Sequence, residues 1–242
     1  MKKSAVVFLS FLISILLVSS APAAWVELTG LVPISSLPGG QLEVGDKLFT
    51  EFEVTGIADG GPPEPSADLV KVQGGQDSET GDYGLRFRFA WNAGADQLTN
   101  ANINFKVSIL EGYDPWLIED AILWLPVAGA TATDAGLVTV NEMIYDAPFM
   151  GVSLAQLDCK REMGDGGVNL IDSSDLLGSG GSPVQVKEIW VRTGIIVRGG
   201  YSPNPGTANL TEVFMLYSQI PEPATVLLLG LGALALVRIR KL

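Results

Sequence analysis

Short runs of alternating apolar and polar residues recur along this chain, separated by clusters of Gly, Pro, Asn, Asp and Ser. Alternation with period two sends successive side chains to opposite faces and marks half-buried strands. Leu85, Phe87, Phe89 and Trp91 share one face, with Arg86 and Arg88 on the other. Ile103, Phe105, Val107 and Ile109 alternate in the same way with Asn104, Lys106 and Ser108. Within 184–197, Val184, Val186, Glu188 and Trp190 line one face, and Thr193-Gly194 is a candidate bulge or turn. Further strands are expected over 48–57, 118–125, 137–145 and 210–217. Residues 58–82 read as the most loop-like stretch and a candidate mobile insertion. No long amphipathic helical repeat and no internal repeat is present between the termini. The pattern predicts an all-β domain over 24–219, an antiparallel β-sandwich or jelly roll.

Two segments break the alternation. The first opens Met1-Lys2-Lys3, continues through an apolar run to Val18, and reaches the small residues Ser19 to Ala24. A charged start, a short apolar core and an Ala-x-Ala site predict a signal peptide over 1–23, cut after Ala23 or one residue later. The alternative, an uncut anchor, sits poorly with so short an apolar run followed at once by small residues. The second segment begins Ile220-Pro221-Glu222-Pro223, runs uncharged from Ala224 to Val237, and ends in a cluster holding Arg238, Arg240 and Lys241. Two prolines exclude a regular helix or central strand there and predict an extended, accessible stretch. The 14 apolar residues span about 21 Å as a helix, short of a hydrocarbon core of about 30 Å. The terminal cations snorkel, so a thin or transient transmembrane helix is expected. Those cations, like Lys2 and Lys3, should stay cytoplasmic, leaving everything between outside.

Over 220–242 this three-part tail resembles the PEP-CTERM sorting signal of Gram-negative bacteria. The resemblance implies recognition by an exosortase, a membrane cysteine protease that cuts near the Pro-Glu-Pro and releases or transfers the protein. On that resemblance Pro221, Glu222 and Pro223 form the sorting motif, and Arg238, Arg240 and Lys241 are the membrane stop. The competing reading is an ordinary tail anchor behind a Pro-rich linker.

Composition narrows what the domain does. All 27 acidic residues lie in 24–223 against 10 of the 15 basic ones, a formal charge near −17. That charge opposes nucleic acid and anionic lipid, and favours solubility, divalent cations or basic partners. The single cysteine, Cys159, excludes an internal disulfide and reads as a buried small hydrophobe. With no histidine in the chain, Cys-His and Ser-His-Asp sites are excluded and a typical zinc site is disfavoured. The chain is therefore expected not to be an enzyme, with no catalytic residues.

Three constellations still merit weighing. Residues 164–177 resemble the second half of a dockerin-type calcium loop, in which a helical Leu-Leu follows the ligands. The resemblance implies Asp165 and Asp172 as calcium ligands, and Asn169 directly or through water. Arg161 and Met163 stand where the family has its first two ligands, and a plain Gly/Asp/Ser hairpin loop is the competing reading. No other cofactor is expected. Tyr113, Trp116 and Trp124 flank Asp114-Pro115, and Trp91 and Trp190 lie on expected strands. Exposed rings would stack on sugars, whereas packed ones belong to the core. Glu119 with Asp120, and Asp172 with Asp175, are carboxylate pairs, which glycoside hydrolysis needs at a defined separation. Asn209-Leu210-Thr211 is formally a glycosylation sequon, and reads better as the start of the last strand. Together these features predict a cell-surface or matrix-associated protein sorted through its tail, with a membrane and exopolysaccharide as candidate partners. The alternative is a carbohydrate-binding module displayed by the same tail.

Overall fold

In the structure, a computed structural model, residues 25–113, 116–148, 151–162 and 170–221 are described. The expected signal helix, the apolar tail helix and the residues Glu222, Pro223, Arg238, Arg240 and Lys241 lie outside them. Among the described residues no helix is long and apolar enough to cross a membrane.

Among the described residues, fourteen strands build two antiparallel sheets. They are β1 (Trp25–Glu27), β2 (Val32–Pro33), β3 (Leu42–Val44), β4 (Lys47–Asp59), β5 (Lys71–Asp77), β6 (Tyr83–Ala93) and β7 (Leu98–Ile109). The second half supplies β8 (Trp116–Trp124), β9 (Ala130–Asp134), β10 (Leu137–Tyr145), β11 (Ser153–Glu162), β12 (Ile171–Asp175), β13 (Glu188–Arg198) and β14 (Gly206–Pro221). One sheet runs β1-β5-β6-β14-β8-β12, with β2 on β5 and β9 on β14; the other runs β11-β10-β13-β7-β4-β3.

The sandwich follows from the alternation. Leu85, Phe87 and Trp91 of β6 and Ile103, Phe105 and Val107 of β7 are buried, and their odd-numbered registers face each other across the two sheets. The rings of Phe87 and Phe105 meet at 5.7 Å, and those of Phe49 and Tyr217 at 6.2 Å. Interdigitated inward faces of this kind are what hold two sheets together. Cys159 is fully buried on β11, as expected of a small hydrophobe, and burial pushes its thiol up to about 12. Glu142 is also fully buried; Tyr217 Oη donates to its Oε1 at 3.1 Å.

Three expectations are corrected. β13 pairs on both sides without interruption through Thr193-Gly194, so there is no bulge there. Its core face is Ile189, Val191, Ile195 and Val197, whereas Glu188 and Trp190 share the outer face with Lys106. Residues 58–82 are not one loop, because they contain β5, which bonds to β1, β2 and β6. Gly74 and Gly75 hid this strand. A Cβ at Gly74 would strike Val44, and one at Gly75 would strike Trp25, so close packing demands glycine. Finally, β12 occupies 171–175, with Leu176 buried directly after it, in place of the helix implied by the calcium-loop resemblance.

Candidate functional site

The end of β14 is where fold and tail meet. β14 lies in the middle of its sheet and stays paired with β8 through Ile220↔Leu117 and Pro221↔Trp116. The first proline of the motif is thus the last residue of a core strand. A strand end tolerates proline because no further ladder bond is needed. Between Ser218 and Gln219 the pairing skips Glu119, so β8 carries a one-residue bulge there.

Gln219 continues the inward-facing odd register of Val213, Met215 and Tyr217 and reaches Lys47. Lys47 Nζ is wholly buried, donating to Asp46 Oδ1 at 3.1 Å and to Gln219 Oε1 at 3.4 Å, with the Tyr83 ring 5.5 Å away. Burial lowers the Lys47 pKa, and the Asp46 carboxylate works against that shift. Gly45 makes the β3–β4 turn at φ +62, and a Cβ there would collide with the Tyr83 ring. The turn, the ring and the ion pair together seat the start of the tail.

Acidic groups surround this seat. Asp120 of β8 stands opposite Asp175 of β12 in the strand register, a separation of about 5 Å between Cβ atoms. Burial raises the Asp120 pKa, Ser218 beside it acts the other way, and the charges of Asp82 and Asp175 raise it further. Glu119 is raised by burial first and then by Asp120, Asp175 and Asp82. A shallow depression of about 350 Å³ is lined by Asp120, Ser173, Ser174, Asp175 and Leu177. The depression therefore brings Asp120 and Asp175 together, with Glu119 within electrostatic reach of both. No aromatic side chain is among those lining residues.

The calcium candidates fare differently. Asp165 and Asn169 lie outside the described residues. Asp172 sits within β12, its Oδ2 accepting from the Asp158 amide at 2.7 Å and its Oδ1 from the Ser173 amide at 3.0 Å. Among the described residues no group of three or more His, Cys, Asp or Glu is placed to hold a metal ion.

The expected aromatic cluster is split. Tyr113 is 45% exposed, Trp91 and Trp190 are buried, and Trp116 and Trp124 are half-buried at different heights of β8. Trp124 instead stacks on Phe214 at 4.4 Å, and Trp25 meets Phe214 edge-on at 5.0 Å. Arg86 lies 5.5 Å from the same Phe214 ring while its guanidinium binds Glu212 at 2.6 Å. This row of Trp25, Phe214 and Trp124 crosses the outer face of the eight-stranded sheet. The sequence signal for it was an apolar residue on the outward register of β14, between the core residues Val213 and Met215.

The fold and the seat of the tail define an antiparallel β-sandwich whose central strand runs into the C-terminal tail. A profile for the PEP-CTERM protein-sorting motif matches residues 219–241, and the chain carries that motif. A search of curated proteins finds no match. One similar solved structure is described as "Structural basis for the promiscuous specificity of the carbohydrate-binding modules from the beta-sandwich super family". It shares 10% identity and a TM-score of 0.27, over 83% of this chain and 64% of that one. The chain thus spans less than two thirds of that protein's length.

Proposed function

We propose that the chain is an exported surface protein, tethered briefly by its apolar tail and then released or transferred by a sorting protease of the exosortase type. In this reading the signal peptide is removed at 23–24, the tail is cut near Pro221-Glu222-Pro223, and the sandwich acts by display at the cell surface or in the extracellular matrix, without catalysis. The observation that carries it is the position of the motif. β14 ends on Pro221, so a cut beyond that residue frees the tail and leaves every described strand intact. The run from Ala224 to Val237 is too short for a comfortable permanent span, which suits a substrate waiting to be cut. Replacing Pro221 and Pro223 with Ala in the native host should leave an uncut, membrane-retained form, seen by fractionation and C-terminal mass spectrometry. Equal processing of variant and parent would contradict the proposal.

A second reading, a carbohydrate-binding module on the same tether, is favoured by the outward row of Trp25, Phe214 and Trp124. Faces of half-buried indoles bind sugar rings by stacking. If this holds, Trp124→Ala should weaken binding of the host's envelope polysaccharide about tenfold by calorimetry. Unchanged affinity, or no binding by the parent, removes this reading.

A further inference from the structure

The two chain exits lie at the same end of the sandwich. β14 climbs from Gly206 to Pro221, and its neighbour β6 starts level with its upper part, Tyr83 opposite Tyr217. β5 ends beside that start, with Gln76 opposite Tyr83, and β1 begins there, with Trp25 opposite Asp77. The first described residue and the last are therefore on one rim, three strand spacings or about 14 Å apart across the sheet, with Pro221 three residues further along its strand. The rim is completed by the β3–β4 turn at Gly45-Asp46, the β5–β6 hairpin tip at 78–82, and residues 110–113 after β7.

We propose that this rim is the surface that docks on the membrane-bound sorting protease, and that the enzyme's facing surface is cationic. The inference rests on the sorting function proposed above. Its first support is reach. Gln219 is held by Lys47, and Ile220 and Pro221 by β8, so the sheet holds the chain as far as the first proline of the motif. An enzyme that acts there has no spacer to keep it off the flanking turns. Its second support is charge. The rim presents Glu79, Asp82, Glu111, Glu119 and Asp175, whereas Lys47 is buried against Asp46 and Lys106 is paired with Glu188 at 2.8 Å. Lys187, just before β13, is also exposed. An excess of one sign repels anionic headgroups and is matched by a basic protein surface, which steers encounter. A membrane resting place for the rim is disfavoured by the same charges.

The test follows tail processing of the full chain in its native host by pulse labelling and C-terminal mass spectrometry. Reversing the rim with Asp82→Lys, Glu119→Lys and Asp175→Lys should slow processing about tenfold or more, as loss of electrostatic steering does. Reversing the far end with Asp59→Lys and Glu64→Lys should leave the parent rate. Both variants are checked for an unchanged melting temperature, and single reversals replace the triple one if it falls. Processing of the rim variant at the parent rate overturns the docking surface and leaves sorting standing. An unprocessed parent overturns the sorting reading itself. Slowing that is equal at both ends marks a general charge effect and also overturns the docking surface.

Discussion

The purified domain should lose about 5 kcal/mol of stability as the pH rises from about 4.5 to about 8, through Glu142 alone. Its carboxyl is completely buried, Oε2 has no hydrogen-bond partner, and burial pushes its pKa from 4.5 up to about 8. The hydroxyl of Tyr217 on β14 opposes that shift, and Cys159 on β11 is the other titratable group within electrostatic reach. The sign follows from proton counting. Between 4.5 and 8 the folded protein keeps a proton that the unfolded chain has released, so unfolding is favoured by about 1.4 kcal/mol per pH unit. The stabilising difference is whole below 4.5 and gone above 8. The upward directions at Asp120 and Glu119 add to the same slope. Denaturant melts across this range check it. Glu142→Gln keeps an acceptor for Tyr217 but does not titrate, so it should remove most of the slope and be the more stable form at pH 8. A parent curve that is flat from 4.5 to 8 would show that Glu142 finds a charged partner on folding.

The second large effect concerns the seat of the tail. Lys47→Met should destabilise the domain by about 3–5 kcal/mol, because Asp46, only 2% exposed, is left as an unpaired buried charge. The double variant Asp46→Ala with Lys47→Met removes both charges and should recover most of that loss, since apolar replacement of a buried pair is near neutral. The pair is therefore not what makes the fold stable. Its other contact, to Gln219, ties it to the start of the tail. Urea midpoints of the parent, both single variants and the double variant give the coupling energy. A double variant as unstable as Lys47→Met alone would mean that the lysine stem, rather than the charge, holds the site.

Much of the sandwich was legible in the alternation. β6, β7 and β10 appear where period-two runs put them, because each buries one face against the opposite sheet and exposes the other. β5 was not legible, since its Gln-Gly-Gly run carries no apolar alternation and makes its strand through close packing under Val44 and Trp25. β11 was missed as well, its alternating Leu157 and Cys159 being interleaved with Asp158 and Lys160 near a segment that reads as a loop. The outer row of Trp25, Phe214 and Trp124 was hidden because β14 is apolar on both faces, and periodicity cannot assign such a strand's outward side. The tail motif was legible in full, being local in sequence. Its attachment to Lys47, 172 residues earlier, was not, since only the fold brings the two together.

The central claim, that this sandwich is exported and freed at its tail, is tested most directly by the intact mass of the protein isolated from its native host. The account predicts a mature chain that begins at Ala24 or Trp25 and ends near Pro221-Glu222-Pro223, lacking residues 224–242. A chain that still carries 224–242 through to its final location would contradict it.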